Sequence, residues 1–475
     1  MRSRLFSAVA LALLCAVTSL AQTSRGTVTG LVTDQNGSVV PAADVELKNS
    51  QTNQNRTTTT NDSGLYRFDA VDLGVYTLTI KAQGFKAISN TGLEVQANRI
   101  STINGELEVG TTEIVVEVSA SGGELLQTSE AVRGGNFSTV QVTTLPTASL
   151  SAYDLGRLLP GVSTAQGSGA SFGNGTSQFS VNGQRPRGNN YLLDGVENND
   201  ISIGGPAGEI TNEDAVKEFS LQTGLFSAEF GRAGGGVFNV ITKSGTNEFH
   251  GTARWLILSQ RFNALTNNDR LSGLTKPAVF TENIFGGSIG GPIIKNKTFF
   301  FFAPQWDRFR STANQGPFTV PTAAGVARLQ ALFAGNPRVA TYLSAIGALR
   351  GVTSISNIAL GPDPVTLVDR GSIEVGGIGF ATPTISNDRQ MVIRVDHNLS
   401  SRQLLSFRFT HEPSIFTPNL VNGPGFVSDF TGLNLNFLAT HNWTISSSLT
   451  NEARVAFGRI SFHFPLSPAN NQLSL

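Results

Sequence analysis

Cysteine is all but missing from this chain of 475 residues: there is one, Cys15, against 51 glycines. Cys15 lies inside an N-terminal stretch with the three parts of a secretory leader, namely Arg2 and Arg4, an apolar run over 5–17, and the small-residue pattern Ser19-Leu20-Ala21. Leu14 is too large for the position before a lipid-modified cysteine, so plain cleavage after Ala21 is expected, leaving a mature chain without cysteine. That excludes a disulfide scaffold, a thiolate metal site and a cysteine nucleophile. Charge is scarce as well, at 14% of residues, and 34 basic residues balance 34 acidic ones, so net charge implies no nucleic-acid partner. After the leader no apolar run reaches about 20 residues, which excludes a membrane helix and leaves a closed β-barrel as the way to span a bilayer. The five histidines (His250, His397, His411, His441, His463) have no paired ligand spacing, and GxSxG and Walker patterns are missing. Neither a catalytic residue, a metal site nor a cofactor is expected.

What the chain does have is glycine and phenylalanine, with 31 Phe against 5 Tyr and 3 Trp, a profile of strands and turns. Over 26–109, strands of alternating polarity recur about every ten residues with turn residues between them, the spacing of a small β-sandwich. The residues Gly30, Asp34, Gly37, Pro41, Asp62-Ser63-Gly64, Tyr66, Phe68, Gly74, Tyr76 and Gly84-Phe85, with the strand 44–47, resemble the carboxypeptidase regulatory-like domain, a transthyretin-type fold. The segment contains no histidine, so no zinc-peptidase site can be built there.

The rest is organised around 179–200, FSVNGQRPRGNNYLLDGVENND, and 216–245, VKEFSLQTGLFSAEFGRAGGGVFNVITKSG. Short apolar strands broken by Gly, Asn and Pro make a compact, loop-rich module, and the run Gly234-Gly235-Gly236 calls for close backbone packing. These stretches resemble the plug domain of TonB-dependent outer-membrane receptors. The signature falls on Arg187, Gly188, Asp194 and Gly195 in the first stretch and on Phe230, Gly231, Gly235, Gly236 and Lys243 in the second. The carboxylates and amides Glu197, Asn198, Asn199 and Asp200 lack the spacing of a calcium loop and are expected at the plug apex, facing ligand. A short helix over 152–159, capped by Ser151, resembles the first plug helix, and 167–177 reads as a Gly/Ser loop. Ahead of the plug, Thr112, Glu113, Ile114, Val115, Val116 and Glu117 are similar to the TonB box, which pairs by strand addition with a periplasmic energy transducer. An edge strand of the sandwich is the other reading of that segment.

Beyond Gly245 the pattern becomes strict alternation: Trp255 and Ile257 against Arg254, Ile393 and Val395 against Arg394, Phe407 and Phe409 against Arg408, Leu435 and Phe437 against Asn436. Period-two stretches of about ten residues, apolar outward and polar inward, mark lipid-facing barrel strands. Strands are expected near 249–261, 280–292, 297–310, 388–397, 403–413, 431–445 and 449–463, with long connections over 262–279, 311–387 and 414–430 alternating with short turns. Outer-membrane barrels sort their loops this way, short in the periplasm and long outside. GGPIIKNKTFFFFAPQWDRF at 290–309 resembles the early hairpin of the Oar-like receptors. The expected fold is mainly β: leader 1–21, transthyretin-like sandwich 22–110, TonB box or linker 111–120, small α+β plug 121–245, and the first strands of a transmembrane β-barrel over 246–475.

The resemblance implies an outer-membrane transporter with its sandwich in the periplasm, lipid around its wall, an unidentified extracellular substrate and a TonB-type transducer as partner. A secreted or surface adhesion protein of tandem β modules is the alternative, and it leaves the sorted loops unaccounted for. About seven strands are too few to enclose a plug, for which about 22 are usual, so the chain is expected to be a fragment lacking the rest of its barrel.

Overall fold

A computed structural model of the chain describes residues 24–110, 116–119, 131–147, 150–164, 179–201, 205–227, 229–271, 275–346, 353–423, 426–446 and 449–465. The leader and the Gly/Ser run lie outside these residues.

The N-terminal unit is a two-sheet sandwich. In one sheet Gly26–Asp34 is central, antiparallel to Leu65–Val71 and parallel to Ile100–Thr102 and Gly105–Leu107. The other runs in the order Asn55–Thr59, Asp44–Asn49, Gly74–Lys81, Ile88–Val95, Val116–Ser119. Alternate residues of each strand point inward, so Val28, Val32, Val45, Leu47, Tyr66, Phe68, Leu78 and Ile80 form one closed apolar core. Gly30 shows how tight the seam is: a Cβ there would lie 1.8 Å from the Ile103 carbonyl oxygen, which already accepts the Tyr66 hydroxyl at 2.6 Å.

The plug follows as a five-stranded sheet in the order Arg133–Ser138, Val216–Gly224, Val237–Thr242, Asn190–Leu193, Val196–Glu197. The expected helix is a 3-10 helix, Ala152–Leu158, with the Ser151 hydroxyl accepting from the Tyr153 N–H. It presses Tyr153 into an aromatic cluster with Tyr191, Phe219 and Phe238, where Tyr191 and Phe238 stack at 4.8 Å. Offset and edge-on rings at such separations add about 0.5–1.5 kcal/mol per pair beyond burial.

The remainder is one antiparallel sheet whose main path holds seven strands: His250–Ser259, Phe280–Ile294, Thr298–Pro321, Ser372–Ser400, Gln403–Gly423, Phe426–Ser446 and Leu449–His463. An eighth, Thr353–Ala359, pairs with the outer part of Ser372–Ser400. Its first and last strands do not pair with each other, so the wall is curved but open among the described residues. Alternation sorts the faces as expected: Trp255 and Val455 are 67% and 68% exposed on the outer face, whereas Arg408 and Thr410, pointing inward, are 3% and 4% exposed.

Two expectations about this sheet are corrected. The stretch 414–430 is strand for most of its length, because Gln403–Gly423 and Phe426–Ser446 continue as a paired hairpin, with Pro418 absorbed in an irregularity between Phe416 and Leu420. The stretch 311–387 is not one long loop either. Its flanking strands run on, and between them sit two helices, Ala323–Leu332 and Pro337–Ile346, over a small core of Leu329, Ile373 and Val375.

The sandwich lies at the short-turn end of the wall, where Asn53 Nδ2 donates to Asn296 Oδ1 at 3.0 Å and the Asn247 N–H donates to the Gln51 carbonyl at 3.1 Å.

Candidate functional site

The chemistry of this molecule is concentrated where the plug meets the wall. The two signature stretches come together first. The Gly188 carbonyl accepts the N–H groups of Gly234 and Gly235 at 2.8 and 3.0 Å, and Asn189 Oδ1 accepts that of Gly236 at 2.9 Å. A Cβ on Gly235 would fall 2.3 Å from Asn189 Oδ1, which explains the glycine. Phe230 packs with Leu192 and Val237, Lys243 lies partly buried beside the sheet, and Arg187 and Gly231 are exposed.

Asp194 and Gly195 do more. Asp194 sits in the left-handed region at φ 52°, and its carboxylate accepts the Thr242 N–H at 2.8 Å and the Thr242 hydroxyl at 2.9 Å. The same carboxylate faces two inward arginines of the wall, Arg408 Nε at 2.9 Å and Arg394 Nη1 at 3.9 Å. The Arg408 contact is ionic rather than an aligned hydrogen bond, and Arg408 Nη2 donates to the Leu193 carbonyl at 3.4 Å. Arg394 is held by Asp396 at 2.9 Å and donates to the Thr242 carbonyl at 3.1 Å. Arg454 donates to the Gly195 carbonyl at 3.1 Å. Three arginines from three wall strands therefore grip one turn of the plug.

A second grip holds the plug segment 209–213. Gln390 Oε1 accepts the N–H groups of Thr211 and Asn212, both at 3.1 Å, while its Nε2 donates to the Glu209 carbonyl at 2.6 Å and to Glu412 at 2.7 Å. Asn434 Nδ2 donates to the other oxygen of Glu412 at 3.0 Å, and Gln305 Nε2 donates to the Thr211 hydroxyl at 2.9 Å. Burial pushes the Glu213 carboxyl above its ordinary value, and Arg254, paired with it at 2.7 Å, opposes that push only in part. Between the grips the wall turns apolar, and Phe301, Ala303 and Val392 join the plug's own core.

The predicted apex loop is corrected in three of its four residues. Asn198, Asn199 and Asp200 are 3%, 8% and 3% exposed. Their polarity serves the plug itself: Asn199 Oδ1 accepts the Tyr191 N–H at 2.9 Å and Asn198 Nδ2 donates to the Gly208 carbonyl at 2.7 Å. Only Glu197 is exposed, and it pairs with Arg232. Of the TonB-box candidates, Thr112, Glu113, Ile114 and Val115 lie outside the described residues, whereas Val116 and Glu117 open a strand parallel to Ile88–Val95. Alternation put Arg394 and Arg408 on the inward face, but no site role was read from sequence for them or for Arg454, Gln390 and Glu412. Their signal was the charge and amide at consecutive inward positions of strands whose other face is apolar.

Comparison with known proteins settles the family. Three family models match in order: "Carboxypeptidase regulatory-like domain" over 27–108, "TonB-dependent Receptor Plug Domain" over 133–237 and "Outer membrane beta barrel domain" over 241–475. The TonB-dependent transporter Oar of Myxococcus xanthus is 30% identical over 327 residues, 64% of this chain. The chain belongs to the Oar-like TonB-dependent receptors.

The receptor spans 29% of the length of that curated relative. Among solved structures it is similar to the outer membrane transporter YddB of Escherichia coli, at 13% identity over 69% of this chain and 39% of that one, with a TM-score of 0.46. A mutant ferric enterobactin receptor of Pseudomonas aeruginosa, solved with enterobactin, is 15% identical over 69% and 41% of the two chains, with a TM-score of 0.41. The plug and barrel models place the receptor in the outer membrane.

Proposed function

We propose that the receptor takes up a substrate across the outer membrane, using work delivered by a TonB-type transducer that pulls on the segment ahead of the plug. The observation that carries this is the character of the plug's attachment. Its two grips are made of ion pairs and hydrogen bonds around Asp194, which borders a cavity of about 450 Å³, and around Glu209–Glu213, contacts that can be exchanged for water as the plug shifts. A plug with a purely apolar seat would cost far more to move. Substrate enters from the end that carries the two helices, and the transducer works at the end that carries the sandwich.

The coupling segment we assign is Thr112 to Glu117. Strand addition needs backbone donors, and Val115→Pro removes one. Membranes carrying the Val115→Pro receptor should fail to retain the transducer's periplasmic domain, while receptor abundance and heat-modifiable migration on gels stay unchanged. Undiminished retention would return the segment to the sandwich as a structural strand.

A further inference from the structure

The sandwich and the plug are attached to the wall in different ways. The plug core is continuous with the wall through Phe301, Ala303 and Val392, whereas the sandwich core contains no plug or wall residue among the described ones. What holds the sandwich in place is a small set of polar contacts around a cavity of about 450 Å³ lined by Gln51 and Asp72 of the sandwich, Lys217 and Lys243 of the plug, and Arg394 and Arg408 of the wall. An interface that encloses a cavity of this size, with charged side chains from all three parts facing it, has less apolar burial to hold it shut than a closed core.

Two of those contacts reach the parts of the plug that would have to move. The first is a clamp on the backbone of one residue: Ala97, fully buried, gives its N–H to Glu218 at 3.0 Å, and its carbonyl accepts from Asn136 Nδ2 at 3.0 Å. Asn136 belongs to Arg133–Ser138, the edge strand of the plug sheet and the first the chain enters, and Gly134 and Gly135 give that strand little side-chain packing of its own. The second is a chain of charges. Arg25, at the base of the sandwich, pairs with Asp72 at 2.8 Å and with Glu452 of the wall at 3.6 Å; Glu452 pairs with Arg454, which holds the Gly195 carbonyl.

We propose that the sandwich is a detachable lock on the inner face of the plug, pinning its first strand through Ala97 and its Asp194-Gly195 turn through Arg25, Glu452 and Arg454. Force applied between sandwich and plug then meets the lock before the plug. The idea gives the N-terminal domain a role within the transport reading above, and its test involves neither transducer nor substrate, so either can fail alone.

The test uses the full chain in detergent and the contact between Asn53 and Asn296, replaced as N53C/N296C in a protein whose only other cysteine is in the leader. Oxidation fixes the sandwich in place and reduction frees it. Adding Arg25→Ala should accelerate amide exchange in Arg133–Ser138 about tenfold when the pair is reduced, with the slow rate restored on oxidation. The same pair without the Arg25 change, compared in mild urea, gives the result again should the alanine variant fold poorly. Equal plug exchange in oxidised and reduced protein overturns the lock. So does an Arg25→Ala protein whose cysteines cross-link at the unaltered rate, since Arg25 then does not hold the sandwich.

Discussion

Replacing Asp194 by Asn is the sharpest perturbation of the plug's attachment. Asn keeps an acceptor for the Thr242 N–H and tolerates the left-handed backbone at φ 52°, so what it removes is charge. Arg408, with 2% of its side chain exposed, then loses its ionic partner, while Arg394 keeps Asp396. Stripping one member from a buried pair costs about 3–5 kcal/mol, and the neighbouring cavity lets water recover part of it, so a loss of about 2–4 kcal/mol in plug stability is expected. Asp194→Ala should cost roughly 1–3 kcal/mol more, because Thr242 loses its acceptor and the left-handed backbone is less well tolerated. Urea titration of the detergent-solubilised receptor, followed by protease cleavage in the plug, reads these values. With Arg408→Gln the cycle closes, and the interaction energy between the two sites should exceed about 1 kcal/mol. A single-variant loss under about 0.5 kcal/mol together with no coupling would show that the arginines merely line the lumen.

Three further expectations follow from other parts of the chain. Burial raises the Glu218 carboxyl to about 7, reinforced by Glu94 and opposed by the Ala97 N–H, Asn136 and Arg99; docking therefore favours the protonated form, is strongest below the ordinary value near 4.5, and weakens as pH rises through about 7. Spin-label distances between sandwich and wall should lengthen from pH 5 to 8, and Glu218→Gln should abolish the change. Gly30→Ala forces a Cβ against the Ile103 backbone, so an isolated 22–110 polypeptide, folded in its natural sequence, should lose at least about 3 kcal/mol and its cooperative melt by circular dichroism. Phe407→Lys puts a charge on the lipid face and should cost about 2–4 kcal/mol, seen as a lower urea midpoint for the wall.

The sandwich, the plug and both faces of the wall were legible because each is written in local periodicity or turn chemistry. Arg408 and Arg394 could be placed on the inward face from alternation alone, but not paired with Asp194, which lies more than 190 residues earlier and meets them only once the sheet has curved around the plug. The run Glu197 to Asp200 misled for a related reason. Polar residues in a glycine-rich loop read as solvent-facing, yet Asn198 and Asn199 are spent on backbone groups that the plug's short strands leave unpaired. Over 414–430 two prolines masked a strand pair, since Pro418 is accommodated by an irregularity that composition does not announce.

The length of the wall strands sets how far the receptor reaches. Ser372–Ser400 has 29 residues, a contour of about 95 Å at 3.3 Å each, or roughly 70 Å of height at the usual barrel tilt. The apolar band of an outer membrane takes up only about 25 Å of that. With the sandwich at the lower rim, most of the surplus stands on the far side, carrying the helices Ala323–Leu332 and Pro337–Ile346 as its flank. On the uptake reading proposed above, whatever approaches the cell would meet this tower some tens of ångströms before it could touch the plug, so first contact and passage would be separate events at separate heights, open to separate tuning.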